Sequence, residues 1–405
     1  MKHKVVVTGM GIISSAGLTP GECWANLIKG KSMTIIDNRL NDLDVSWSCP
    51  IKNFTPSDCL NKSLIWRIDP FIQYALYAAK KAIEDAKLDI DNKTVKVGIV
   101  LGNSLAGVTS IEKLNKRAYN EGCGTIGSLY LLSTMGSMAT GNIGIELGIK
   151  GPTYLIGTAC ASGTDSIGIG KYLIENGICD IVLAGGSEAP ITPLVVSSFT
   201  KIGALSKNTN LAYSSRPFDN ERDGFVISEG AAMLVLEKET SALDRKAKIY
   251  ASVAGYGSAN DSYHITSPSP NGSGLSISIR AALNDASLEY TDIQCINAHG
   301  TSTLLNDRIE GKVLYDFFGK NAYVTSTKGV TGHSLAASGA IEAVFSILKI
   351  INNKIPPVAG LRNIDKEIKV KIATNTISDI HVKNVLSTSL GFGGQNAALI
   401  FSKYE

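Results

Sequence analysis

Charged residues fill only 19% of this 405-residue chain, below the ~25% typical of globular proteins. Lys and Arg total 39 against 36 Asp and Glu, a net charge of +3 with no basic run. That balance excludes nucleic-acid binding as an organising feature. No uninterrupted apolar stretch reaches the ~18 residues a membrane span needs. The N-terminus, Met1-Lys-His-Lys-Val-Val-Val-Thr-Gly9, has too short an apolar run for a secretory signal and reads as a first strand. The seven cysteines (23, 49, 59, 123, 160, 179 and 295) are scattered and never form a CxxC pair. No disulfide framework and no metal site is therefore expected, and a reducing, cytoplasmic setting fits. Prolines number 12 and histidines only 5, whereas the 40 glycines exceed the usual ~7% share. Such a composition suits a compact chain in which backbones approach closely. The length allows two or three domains, or one duplicated unit.

Short apolar runs at 4–8, 95–101, 181–184, 232–236, 293–297 and 397–401 predict strands buried on both faces. A helix is predicted from 69 to about 87, with Asp69 as N-cap, Pro70 in the first helical position and a stripe containing Phe71, Ile72, Ala75, Leu76, Ala79, Ile83 and Ala86. Alternation of such units gives an α/β class. Parts also recur in order. Tyr154-Leu-Ile-Gly-Thr-Ala-Cys160 leads into a small-residue helix, as Tyr323-Val-Thr-Ser-Thr-Lys328 leads by a turn to His333-Ser-Leu-Ala-Ala-Ser. Gly224-Phe225 and Gly391-Phe392 each precede a further apolar run. The order predicts a duplicated core joined near 245–250.

Cys160 follows a strand and opens a helix, where the helix dipole favours a thiolate. His299, in Asn297-Ala-His-Gly-Thr-Ser-Thr303, ends a strand; His333, in Thr331-Gly-His-Ser, opens a helix running to about 351. A thiol with two imidazoles is a set suited to acyl transfer. Gly391-Phe-Gly-Gly394 is a loop whose glycines Gly391, Gly393 and Gly394 permit unusual dihedrals and close substrate approach. Two look-alikes fail: Gly9-Met-Gly11-Ile-Ile-Ser14 has serine for the third glycine of a nucleotide loop, and Gly102-Asn-Ser-Leu-Ala106 is not a hydrolase elbow.

In this order the motifs resemble the β-ketoacyl-[acyl-carrier-protein] synthases, the elongating KAS I/II type within the thiolase-like superfamily. The resemblance spans the chain, from Val7-Thr-Gly-Met-Gly11 through Thr158-Ala-Cys-Ala-Ser-Gly163, Ala184-Gly-Gly-Ser-Glu188, Arg216-Pro-Phe-Asp219 and Arg222-Asp-Gly-Phe225 to Ser326-Thr-Lys328, Thr331-Gly-His333 and Gly391-Phe-Gly-Gly394. It implies a duplicated five-layered αβαβα fold, with halves at 1–248 and 249–405. It also implies decarboxylative Claisen condensation of an acyl group on Cys160 with malonyl-carrier protein. His299 and His333 would donate hydrogen bonds to the malonyl thioester oxygen. Backbone N–H groups of Cys160 and Phe392 would form the oxyanion hole, with Phe392 also a gate. Lys328 and Glu342 would support His333 and the charge balance, and Thr266, Thr301 and Thr303 would bind the pantetheine arm. No cofactor beyond that arm, supplied by the acyl carrier protein, is implied. The family also implies a two-fold dimer, of identical chains or with a related ketosynthase-like chain.

Two segments depart from the family's basic carrier-docking sites: Lys62-Ser-Leu-Ile-Trp-Arg67 is more apolar, and Gly122-Cys-Gly-Thr125 carries no cation. Lys201 and Lys207 remain as basic candidates. Leu304-Leu-Asn-Asp307-Arg is more similar to polyketide ketosynthases, so polyketide or polyene assembly stands beside fatty-acid elongation. A third reading, a silent partner subunit, would predict a missing nucleophile, and Cys160 is present.

Overall fold

The computed structural model describes residues 2–90 and 95–405. Its main strands are β1 (Val5–Ser14), β2 (Val97–Gly102), β3 (Thr153–Ile156), β4 (Ile181–Glu188), β5 (Gly230–Lys238), β6 (Ala251–Asn260), β7 (Cys295–Asn297), β8 (Tyr323–Thr325), β9 (Asn384–Gly391) and β10 (Gln395–Ser402). The helices that matter for the site are α1 (Pro70–Ala86), α2 (Ser162–Glu175), α3 (Pro193–Ile202), α4 (Ser273–Ala286), α5 (Leu304–Phe318) and α6 (Ser338–Asn352).

From the centre outward the strands run β1-β5-β4-β2-β3 on one side and β6-β10-β9-β7-β8 on the other, the latter extended by the short strand Lys371–Ile372. Adding five to each label of the first set gives the second. The directions repeat too: two antiparallel pairings, then two parallel ones. The two sets meet where β1 pairs briefly with β6, at Val6↔Ser252 and Val7↔Ala251. Helices α2 and α6 lie between the sets and touch both, while α1 and α4 cover the outer faces. The stretch Leu335–Asn352 has the length and hydropathy of a membrane span, but 89% of it is buried within the protein.

Helix α1 starts as its sequence dictates. The Asp69 carboxylate accepts the Phe71 N–H at 3.1 Å, and Pro70 occupies a position with no N–H to satisfy. Its seat on β1 explains the nucleotide-loop look-alike. A Cβ at Gly9 would lie 2.2 Å from the Ala82 carbonyl oxygen and one at Gly11 1.9 Å from that of Ala78. On β6, a Cβ at Gly255 would lie 2.1 Å from the Ala282 carbonyl oxygen and one at Gly257 2.2 Å from that of Ser278. The Gly-x-Gly pairs therefore let a helix backbone rest directly on a strand.

The inner layer is built by the same rule. Two short 3₁₀ turns, Ala159–Ala161 and Leu335–Ala337, lead into α2 and α6. Ala159 and Leu335 both sit at φ +48°, which costs a residue with a Cβ on the order of 1–3 kcal/mol. Ser162 Oγ accepts the Thr158 N–H (2.9 Å), and Ser338 Oγ accepts the Ser334 N–H (3.1 Å). The sequence alignment of the halves set the Cys160 turn against His333. The backbone instead pairs Cys160 with Ala336, three residues later.

Candidate active site

Both histidines stand on short tethers from the second half. β7 ends at Asn297, and the chain then turns through Gly300, at φ +40°. The buried Glu310 of α5 fixes that turn, accepting the N–H groups of His299 (2.8 Å) and Gly300 (2.7 Å) while Thr388 donates to it at 2.7 Å. Arg222 braces the following residues, donating to the carbonyls of Thr303 and Leu304 and pairing with Asp307 and Asp365. His333 does not open α6 as expected: Gly332 (φ +70°) and the Leu335–Ala337 turn put the helix start five residues on, at Ser338. The freed segment instead pairs with 226–228, its His333 N–H donating to the Val226 carbonyl at 2.8 Å.

Cys160, His299, His333, Phe392, Thr266, Thr301 and Thr303 all line one cavity of about 230 Å³. The imidazoles meet edge to face, centroids 5.3 Å apart, and Phe225 packs edge-on against His333 at 5.0 Å. Thr301 and Thr303 hydroxyls lie 2.9 Å apart on the wall. Of the loop glycines, Gly391 and Gly394 reach the cavity and Gly393 does not. Gly391 is needed for space, because a Cβ there would sit 2.6 Å from the Thr158 carbonyl; Gly393 and Gly394 are needed for their φ of +82° and +79°. Lys328 and Glu342 lie behind the cavity wall, joined as an almost fully buried ion pair.

Electrostatics revises one expectation. Burial pushes the Cys160 thiol up to about 12, against the opposing pull of the Lys328 charge and of the N–H groups of Phe392 and Cys160. The dipole of α2 is outweighed, and the resting sulfur is protonated. Burial, aided by the Lys328 charge, also holds both imidazoles well below the usual histidine range, so each is neutral at pH 7. The Phe392 and Cys160 N–H groups both bear on the sulfur and lower its proton affinity.

Ser338, Glu310, Phe225 and Phe199 were not foreseen as site residues. Ser338 Oγ accepts the Ser334 N–H, lies 2.9 Å from His333 Nδ1 and 3.2 Å from Ser334 Oγ, and so holds the His333 ring in place by a hydrogen bond at Nδ1. Nε2 is left as the ring nitrogen not engaged by Ser338. Ser338→Ala is expected to lower turnover about tenfold while acylation of Cys160 persists, read by single-turnover kinetics. A serine five residues beyond a histidine carries no motif, and Glu310 reads in sequence as an ordinary helical charge.

Burial pushes the Glu310 carboxyl from its ordinary 4.5 up to about 7. The folded state thus binds this proton more tightly than the unfolded chain. Its stabilising contribution is complete below about pH 4.5 and is lost as pH rises to about 7. Glu310→Gln should flatten the fall in urea midpoint between those two pH values; an unchanged slope refutes the assignment.

Comparison with known proteins places this geometry in a family. Residues 2–242 match the family model "Beta-ketoacyl synthase, N-terminal domain", and residues 250–362 match "Beta-ketoacyl synthase, C-terminal domain". The 3-oxoacyl-[acyl-carrier-protein] synthase 2 of Staphylococcus aureus is 41% identical, covering 99% of each chain. That of Synechocystis sp. is 38% identical over 100% of this chain and 99% of its own. Among solved structures, the ishigamide ketosynthase/chain length factor superposes with a TM-score of 0.94 at 31% identity, over the whole of both chains. A type II PKS ketosynthase in complex with its acyl-carrier protein superposes at 0.92 with 30% identity, again over the whole of both chains. With a single thiol and two neutral imidazoles on one cavity wall, and full-length likeness on both measures, the chain belongs to the β-ketoacyl synthase family.

Proposed function

We propose that this protein is a 3-oxoacyl-[acyl-carrier-protein] synthase, an acyltransferase that extends a fatty acyl chain by two carbons. The observation that carries the reading is the convergence of Cys160, His299, His333 and the Phe392 N–H on one cavity. Cys160 sulfur attacks the acyl thioester of a loaded carrier protein, and its proton leaves with the carrier thiol. The oxyanion formed on the way accepts hydrogen bonds from the N–H groups of Cys160 and Phe392. Malonyl-carrier protein then enters. Loss of CO₂ leaves a carbanion whose enolate oxygen is held by hydrogen bonds from His333 and His299. The carbanion attacks the acyl-cysteine carbonyl, Cys160 departs as a thiolate that takes up a proton from solvent, and 3-oxoacyl-carrier protein is released.

Neutral imidazoles suit this step, which asks for donors rather than bases. Lys328 and Glu342 act as positioning residues that set the local field. Thr266, Thr301 and Thr303 bind the pantetheine arm. The halves divide at 1–248 and 249–405, the first giving the nucleophile and the second the donors. Two chains form the working unit: the free edge of β3, with Tyr154 exposed, and the exposed Leu131, Leu132 and Met135 support pairing with an identical or related ketosynthase-like chain. Likeness to a type II PKS ketosynthase and to a ketosynthase/chain length factor, together with Leu304-Leu305, favours type II polyketide assembly as a second reading.

The test supplies octanoyl- and malonyl-loaded acyl carrier proteins to the purified protein. The expected result is an octanoyl mass gain on the Cys160 peptide and a 3-oxodecanoyl product. No acyl mass and no product with any loaded carrier would overturn the reading.

A further inference from the structure

The cavity that ends at Cys160 opens where its lining residues become exposed: Ile202 at the end of α3, and Leu305 in the first turn of α5. Two more apolar side chains stand beside them without entering the cavity. They are Leu304, next to Leu305, and Ile265, next to the lining residue Thr266. Their exposures are 53% for Ile202, 52% for Leu304, 47% for Leu305 and 75% for Ile265. Four large aliphatic groups from three separate segments therefore ring one opening, the arrangement that marks an interaction site rather than scattered surface residues.

Charge at this rim is largely spent. Arg308, one turn beyond Leu304, is paired with Glu367 at 2.5 Å. Asp261 accepts the N–H groups of Ser269 and Gly274, and the buried Asp307 accepts those of Phe218 and Ser302 beside Arg222. At the end of α3 and in the first turns of α5 up to Arg308, among the described residues, Lys201 is the one exposed cation without a carboxylate partner. Whatever protein delivers a thioester arm through this opening must cover the ring.

We infer that the carrier protein docks here through apolar contact, seating an apolar helical surface on Ile202, Leu304, Leu305 and Ile265, with Lys201 a minor term. This rests on the proposed condensing function. It also gives the exposed Leu304-Leu305 pair a use: apolar side chains in the first turn of a helix do nothing for its dipole and gain only if a partner covers them.

The test compares octanoyl-loaded acyl carrier protein with octanoyl-pantetheine, which has no protein to dock. Leu304→Glu places an acid in a helix first turn, which favours folding. Leu304→Glu and Ile265→Glu should each raise KM for the loaded carrier about tenfold, the scale of a central interface contact. Turnover of octanoyl-pantetheine should not change. Lys201→Glu, or raising NaCl from about 50 to about 500 mM, should change KM for the carrier by less than about threefold. A tenfold effect of Lys201→Glu or of salt, with Leu304→Glu silent, would overturn apolar docking. So would a change of oligomeric state in Leu304→Glu at unchanged KM, which would make the ring a contact between copies of this chain. Absence of wild-type turnover on both substrates fails the condensing function instead.

Discussion

Cys160→Ala should lose condensation by on the order of 10⁴-fold or more, because a nucleophile that acts with its partners as a unit cannot be partly replaced. No second thiol stands in: none of Cys23, Cys49, Cys59, Cys123, Cys179 or Cys295 lines the cavity. The variant should fold normally, since alanine removes one sulfur from a small-residue turn and leaves the Ala159–Ala161 backbone as it is. It should also gain no acyl mass from loaded carrier protein, whereas the wild type does. A companion measurement reads the protonation state. With the thiol pushed up to about 12 by burial, its alkylation by iodoacetamide should keep rising with pH well beyond the ordinary thiol value of 9.0. An alkylation rate that levels off near pH 7 would mean a resting thiolate and would contradict the buried, protonated sulfur. In the proposed reaction, substrate attack then requires the proton to leave as the bond forms.

Gly339→Val carries the largest expected loss of stability, about 3 kcal/mol or more by overpacking, seen as a lower melting temperature and urea midpoint. A Cβ at Gly339 would fall 2.0 Å from Thr164 Oγ1 and 2.7 Å from the Thr164 nitrogen; one at Gly163 would fall 2.7 Å from the Ala336 carbonyl. The two central helices thus lean on each other through paired glycines, and neither backbone can yield without moving its own sheet. Gly163 lies three residues from Cys160, and Gly339 six from His333. Spreading the helices would therefore separate nucleophile from donor, and activity should fall in step with stability. A Gly339→Ala variant with both melting temperature and turnover at wild-type level would show that the helices are not in direct register here.

Much of this was legible in the sequence. Periodicity located α1 with its Asp69-Pro70 start, and apolar runs located parts of β1, β2, β4, β5, β7 and β10. Strand β9 escaped because polar side chains fill its buried centre on both faces: Ser389 bonds Thr164 at 2.7 Å on one, and Thr388 holds Glu310 on the other. A strand whose side chains serve a site does not look like core. Strand β6 escaped for the opposite reason, since Gly255 and Gly257 give up side chains so that α4 can sit close. The nucleophile and both histidines could be picked out because each adjoins glycine or a small-residue run. The residues that set their state could not. Ser338 holds a ring and Glu310 a turn, and both depend on contacts that spacing along the chain does not encode.

The twin turns before α2 and α6 leave the molecule with its own control experiment. Ala159 and Leu335 are held at the same φ of +48°, yet only the first precedes a reactive atom; the second is followed by Ala336. Holding such a conformation is often read as energy stored for chemistry. Here the same conformation recurs where there is no nucleophile, so it belongs to the way a strand hands over to a central helix in this architecture. The nucleophile exploits a bend that the frame makes twice.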